Sequence, residues 1–250
     1  MLTAIVLDIE GTTSSTGFVH DTLYPYSRQR FGAWIEAHLD DPVLGADVKR
    51  QLASVRQLAG EPDATIARCV WWLEHWLGGD EKVTPLKAFQ GWIWQEGFAS
   101  GDLTSHFFPD VIPALRRWLA RGHRLHIFSS GSLAAQRAWF GHTPEGDLLS
   151  WFSGHWDTET AGPKKQPGSY RRISADIDAA CGVAAYATVF LSDLVEELDA
   201  ARAAGWHTVG VRRRGDQYFD RGVGDHLAIT SFDQIDLSGD RPVVVSDPQR

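Results

Sequence analysis

Sulfur and positive charge are both scarce in this chain. Its two cysteines, Cys69 and Cys181, have no metal-ligand spacing, and Cys69 falls in an apolar helical stripe where it should pack as a small hydrophobe. The 24 Lys and Arg against 32 Asp and Glu leave a net charge of −8, which argues against a nucleic-acid backbone as partner. The only dense basic run, Arg212-Arg213-Arg214, follows an expected strand, precedes Gly215-Asp216 and reads as a solvated loop. No apolar run approaches the length of a membrane span. Asp8 and Glu10 stand where a signal peptide would carry its apolar core, so the chain reads as cytoplasmic with no membrane partner. Repeats, low-complexity segments and a coiled-coil stripe are absent, and a monomer is the default expectation. What is present is ordinary globular material, 43% hydrophobic and 22% charged, in 250 residues. That length suits one large domain or a domain carrying an insertion.

The most informative segment is Asp8-Ile9-Glu10-Gly11-Thr12-Thr13, at the end of the apolar run Thr3-Ala4-Ile5-Val6-Leu7. Side chains alternate along a strand, so Asp8 and Glu10 point the same way at its carboxyl end. Gly11 permits a tight turn towards a ligand, and Thr hydroxyls and exposed N–H groups can hold phosphate oxygens. One carboxylate can attack phosphorus while the other gives and takes a proton.

After Thr13 the strand pattern stops for roughly a hundred residues. Helical spacing appears near 21–39 (Phe31, Trp34, Ile35, Leu39), near 63–77 (Ile66, Val70, Leu73, Leu77) and near 85–98 (Leu86, Phe89, Ile93). Trp71, Trp72 and Trp76 are expected in the core of that helical block. From Phe107 onwards helices and strands alternate. Helices are expected over 109–120, 133–140, 169–180 and 194–204, and strands over 124–129, 188–193 and 207–211. Such alternation predicts an α/β fold with a parallel sheet covered on both faces. The first strand must belong to that sheet, so the helical block is an insertion. The expected division is a catalytic core of 1–16 with 104–250, and a helical cap of 17–103. Residues after about 238 read as a weakly ordered tail.

Two further strands end in residues suited to phosphate chemistry, and ligands of open parallel sheets bind beyond such ends. Ser129-Ser130-Gly131-Ser132 closes one and opens a helix, where hydroxyls and a helix N-terminus favour an anion, although a plain Ser N-cap would look the same. Phe190-Leu191-Ser192-Asp193 closes the other. Asp8 and Asp193 can share a hard cation such as Mg²⁺, although Asp193 is also a fair helix N-cap. Between them Ala161-Gly162-Pro163-Lys164-Lys165 offers a loop lysine to neutralise phosphate.

Asp-x-Glu-Gly-Thr, Ser-Ser-Gly, a loop lysine and a strand-terminal Asp, in that order, resemble the haloacid dehalogenase superfamily, whose members usually carry Asp at the position of Glu10. That departure, together with Phe18-Val19, Tyr24-Pro25-Tyr26, Gln90-Gly91-x-Ile93-Trp94, Phe107-Phe108-x-Asp110-Val111, Ser129 to Gln136, Phe140 to Asp147 and Gly154-His155-x-Asp157-Thr158, resembles the enolase-phosphatases of methionine salvage. The likeness is weakest at about 40–65 and after 212. It implies a haloacid-dehalogenase-like Rossmannoid core with an all-helical cap. It implies enolisation and dephosphorylation of 2,3-diketo-5-methylthiopentyl-1-phosphate through an aspartyl phosphate. The catalytic residues implied are Asp8, Glu10 and Lys164, selected over Lys165 by its five-residue spacing from Ser169-Tyr170. Ser129, Ser130 and Lys164 are the implied substrate contacts. One Mg²⁺ per subunit is implied, on Asp8, Asp193 and the backbone carbonyl of Glu10. The enolisation base is left open among Glu10, Lys164 and His20. The rival readings are another Mg²⁺-dependent capped phosphatase, a phosphomutase, or a non-catalytic binding protein.

Overall fold

Strand β1 (Ala4–Leu7) consists of four apolar residues and is buried on both faces. It lies inside a six-stranded sheet with β2 (Arg124–Phe128), β3 (Phe152–Trp156), β4 (Thr188–Ser192), β5 (His207–Val211) and β6 (Leu227–Ile229). The order is β3-β2-β1-β4-β5-β6, and every pairing is parallel. This was found in a computed structural model that describes residues 1–81 and 83–245. Leu7 pairs in register with Ile127 of β2 and Leu191 of β4, so the carboxyl ends of the three central strands are level. Asp8, Ser129 and Asp193 therefore leave the sheet at one edge.

The chain divides into two units, Met1–Gly17 with Thr104–Arg250, and Phe18–Leu103. Beyond β1 come the short turns α1 (Thr16–Phe18) and α2 (Tyr24–Arg28). The helices α3 (Phe31–His38), α4 (Gly45–Ala59), α5 (Ile66–Gly78) and α6 (Thr84–Ser100) follow. Their shared core is Phe31, Trp34 and Ile35 from α3, Val48, Leu52 and Val55 from α4, Cys69, Leu73, Trp76 and Leu77 from α5, and Leu86, Phe89 and Ile93 from α6. Each fully buried large side chain contributes about 1.5–3 kcal/mol. Thr65 caps α5 by accepting the Arg68 N–H at 3.3 Å, and Gly60 ends α4 in the left-handed conformation at φ 69°.

In the sheet-bearing unit, α7 (Val111–Ala120), α8 (Leu133–Gly141), α9 (Pro167–Cys181) and α10 (Val195–Ala203) join successive strands. Ala4, Val6, Phe128 and Phe190 pack with Tyr170, Ile173 and Ile177 of α9 and Leu198 of α10. Their alternates Ile5, Leu7, Leu125, Ile127, Val189 and Leu191 are equally buried, as expected of a parallel sheet covered on both sides.

Several sequence expectations are corrected. Helix α4 was not anticipated, although Val48, Leu52 and Val55 give it an i, i+4, i+7 stripe. The buried face of α5 runs through Cys69, Leu73 and Trp76, which leaves Ile66 and Val70 half-buried, and Cys69 packs as a small hydrophobe. Trp71 is 45% exposed beneath the Arg68 guanidinium, 4.1 Å from its ring centroid, and is not core. Residues 239–245 are not a loose tail. Val243–Val244 forms strand β8 against β7 (Ile235–Asp236), while residues 246–250 lie outside the described residues. Arg213 is not a solvated loop residue, being 4% exposed.

Candidate active site

Asp8 follows β1 directly, is 5% exposed, and donates its backbone N–H to the Leu191 carbonyl at 3.0 Å. The turn after it closes on itself. The N–H groups of Thr12, Thr13 and Ser14 converge on the Ile9 carbonyl at 3.2, 2.9 and 2.9 Å, and Gly11 donates to Ser14 at 2.7 Å. Thr13 Oγ1 sits 3.2 Å from the Asp8 and Ile9 carbonyls and donates to them. The expectation that the N–H groups and hydroxyls of this turn lie open for phosphate is therefore corrected at these positions. The Ile9 N–H donates to no other described group and is the amide left beside Asp8.

Lys164 reaches Asp8 from the loop before α9, with Nζ 2.5 Å from Oδ1. Its backbone is fixed because the Tyr170 hydroxyl donates to the Lys164 carbonyl at 2.7 Å and Ser169 Oγ to that of Pro163 at 2.7 Å. Lys165 points outward and is 60% exposed. The sequence reading missed Glu197, which is 4% exposed and accepts from Lys164 Nζ at 2.7 Å and from Ser192 Oγ at 2.9 Å. Its signal is proximity in sequence, because Glu197 lies in the first turn of α10, four residues after the strand-terminal Asp193. Burial alone would strip the proton from Lys164. The Asp8 and Glu197 carboxylates outweigh it and raise the ammonium pKa.

Asp193 is 7% exposed and does not cap α10, whose first turn follows Leu194 without a side-chain cap. It lies against the turn after β1, where a Cβ on Gly11 would meet its Oδ2 at 2.1 Å. Gly11 is needed both for this approach and for its φ of 70°. Burial, opposed by Lys164 and reinforced by Glu197, raises the Asp8 pKa to about 7. Burial and the neighbouring Asp8 raise that of Asp193 to about 8. Asp8, Asp193 and Glu197 are thus three buried carboxylates facing one ammonium. The imbalance of two charges and the hard oxygen donors suit a divalent cation. Another acidic group, Asp199, Asp225 and His226, is an ion-pair network, with Arg202 bonded to Asp199 at 2.5 Å and Asp225 at 2.9 Å.

Ser129 is buried after β2, its Oγ accepting the Gly131 N–H at 3.3 Å, while Ser130 is exposed. Gln136 Nε2 holds this turn by donating to the Gly131 and Trp156 carbonyls at 2.9 and 2.8 Å. The N-terminus of α8 is not an open anion site as expected. Its Leu133 N–H donates to Asp157 Oδ2 at 3.0 Å, and Ser132 Oγ takes the Ala135 N–H at 3.3 Å. Glu10 is exposed at the rim, bridged through its backbone to Ser14.

This geometry has close counterparts. A haloacid dehalogenase-like hydrolase family model matches residues 2–205. Enolase-phosphatase E1 of Streptomyces avermitilis is 57% identical over 235 residues, covering 94% of this chain and 95% of that protein. Its namesake from Nocardia farcinica is 52% identical over 238 residues, covering 95% and 98%. Among solved structures, the UTR4 protein of Saccharomyces cerevisiae superposes with a TM-score of 0.75 at 29% identity, covering 93% of this chain and 99% of that one. CbbY from Rhodobacter sphaeroides shares the fold with a TM-score of 0.56 at 18% identity over 93% and 95% of the two chains. With its sheet order, its buried carboxylates and relatives more than half identical along almost its whole length, the chain belongs to the enolase-phosphatase family of the haloacid dehalogenase-like hydrolases.

Proposed function

We propose that this chain is the bifunctional enolase-phosphatase of methionine salvage. It converts 2,3-diketo-5-methylthiopentyl-1-phosphate to 1,2-dihydroxy-3-keto-5-methylthiopentene and phosphate. The observation that carries the reading is the buried set of Asp8, Lys164, Glu197 and Asp193, held where three parallel strands end. We read the enzyme as a cytoplasmic monomer whose catalytic core is 1–16 with 104–250 and whose cap is 17–103.

In the second reaction Asp8 attacks phosphorus and forms an aspartyl phosphate while the enolate oxygen leaves. Glu10 protonates that oxygen, then takes a proton from the water that cleaves the phosphoenzyme. Lys164 neutralises the phosphoryl oxygens and opposes protonation of Asp8. The Ser129 hydroxyl and the Ile9 N–H complete the phosphate contacts, with Ser130 at the rim. One Mg²⁺ per subunit would be held by the Asp8 and Asp193 carboxylates and the Glu10 backbone carbonyl. When bound it supplies the positive charge that the three carboxylates call for.

The enolisation step needs a base, and Lys164 is a poor one because Asp8 and Glu197 hold it protonated. His20 is exposed, with its ring edge-on to Tyr24 at 4.9 Å, and belongs to the helical unit. We therefore assign the proton shuttle of both steps to Glu10, whose extra methylene over Asp lengthens its reach. Glu10→Asp tests this: full enolisation by that variant would make the reach irrelevant. The whole reading is tested by following ultraviolet absorbance and free phosphate from the diketo phosphate, with Mg²⁺ and with EDTA. An absorbing enol followed by Mg²⁺-dependent phosphate release is expected. Phosphate release from simple esters with no enol would favour a capped phosphatase for another substrate.

A further inference from the structure

Among the described residues, the middle arginine of the basic run is the most deeply buried Lys or Arg outside the reaction centre. Arg213 is 4% exposed, whereas its neighbour Arg214 is exposed. Its Nη1 donates to both carboxylate oxygens of Asp110 at 2.9 and 2.8 Å and to the Thr230 carbonyl at 3.3 Å. The guanidinium carbon lies 4.5 Å from the Phe108 ring centroid and 4.7 Å from that of Phe232. Asp110 is itself fixed, accepting the Phe232 N–H at 2.6 Å and the Ser231 hydroxyl at 3.3 Å. Burying a guanidinium is costly unless its donors are matched; here Nη1 and Nε are bonded and two aromatic rings pack against the group, while the buried Nη2 finds no partner among the described residues.

Two bonds lead from this assembly to the turn beside the site. Arg213 Nε donates to the Thr12 carbonyl at 2.8 Å. The next carbonyl, Thr13, accepts the Phe108 N–H at 3.1 Å, so the ring that stacks on Arg213 belongs to the residue that holds the other end of the turn. Both grips are on the turn whose Gly11 lies flush with the Asp193 carboxylate. We propose that Arg213, clamped by Asp110, Phe108 and Phe232, is a positioning residue that sets the Gly11–Thr13 turn through the Thr12 carbonyl. It thereby fixes the spacing between Asp8 and Asp193. Arg213 touches no reacting atom. Its effect is geometric, and a displacement of about 1 Å at a catalytic group can cost on the order of 100-fold in rate.

The inference rests on the phosphatase reading but not on the identity of the ester. Its test therefore uses p-nitrophenyl phosphate beside the diketo phosphate, at saturating Mg²⁺. Lysine keeps the charge of Arg213 and loses the fork and the stacking plane. Arg213→Lys is expected to lower kcat about 10- to 100-fold on both esters while KM moves less than about threefold. Arg214→Gln should match wild type. A folded Arg213→Lys enzyme with a lower melting temperature but wild-type kcat would overturn the proposal and leave Arg213 a structural tie. Should Arg213→Lys not fold, Asp110→Asn replaces it, since it keeps the Thr12 bond and weakens the clamp. A kcat reduced several-fold supports the proposal, and an unchanged kcat overturns it. Wild-type hydrolysis of p-nitrophenyl phosphate without turnover of the diketo phosphate would sink the substrate assignment alone.

Discussion

The two units bury different kinds of residue. Among described residues, Phe18–Leu103 buries no charged side chain, and its only buried polar ones are Ser27 and Gln90. Its interior is aromatic and aliphatic, with Trp34 stacked on Trp92 at 5.6 Å and edge-on to Phe89 at 6.3 Å. Its ion pairs, such as Lys49 with Asp40 and Arg68 with Glu61, stay at the surface. The sheet-bearing unit buries Asp8, Asp157, Lys164, Asp193, Glu197 and Arg213. A buried charge is tolerated only with partners, so it accumulates where function demands it. The contrast teaches that substitutions in one unit should change stability, and those in the other should change chemistry first.

The largest break expected is Asp8→Asn, which should lower phosphate release by at least about 10⁴-fold with the fold intact by circular dichroism, because Asp8 is the proposed nucleophile. Lys164→Met comes next. A fall in kcat of about 10²- to 10³-fold is expected, the size typical of losing one preorganised electrostatic contact. In the helical unit the comparison predicts the opposite pattern. Leu73→Ala should cost about 2–5 kcal/mol in urea unfolding, while kcat per folded molecule stays near wild type.

Metal linkage sharpens the comparison further. In the metal-free protein the Asp8 and Asp193 pKa values, near 7 and 8, lie above the ordinary 3.8, so the folded state holds the extra protons. Folded stability without metal should therefore fall as pH rises from about 4 to 8. A cation displaces those protons, so its stabilisation should grow over the same window. At a hundredfold excess over Kd the gain is about 2.7 kcal/mol. The Mg²⁺-induced rise in Tm should thus be larger at pH 8 than at pH 6, and an equal rise at both would contradict the raised pKa values of Asp8 and Asp193. The smallest effect expected is that of Glu61→Gln, which removes the surface partner of Arg68 and should leave Tm at its wild-type value.

The parts of the fold legible in the sequence are those governed by local pattern. The strands ending at Asp8, Ser129 and Asp193 read clearly because each is a short, apolar-rich run closed by a polar residue. Strand β3, Phe-Ser-Gly-His-Trp, is an edge strand of mixed polarity with a glycine at its centre and carries no such signal. The rotated face of α5 has a similar origin. Cys69 and Trp76 compete with Ile66 and Val70 for the interior, and only the packing of four helices decides between them. The site was legible at its strand ends and illegible where charge is buried from afar. Glu197 looks like a second surface acid beside Glu196 until Lys164 is brought to it. Arg213 looks solvated because Asp110 is 103 residues away in the chain. No local window contains either pairing.

The level ends of β1, β2 and β4 also bear on how the chain reaches this state. Strand β1 is made first, yet it sits between β2 and β4, and the whole of Phe18–Leu103 separates it from the nearer of them. On the ribosome, at about 5–20 residues per second, β1 waits several seconds before β2 emerges, and longer for β4. Closing so long an interval costs entropy that rises only with the logarithm of its length, and helices rich in local contacts can form within it beforehand. Asp8 thus emerges well before Glu197, and its surroundings are not complete until Glu197 has followed.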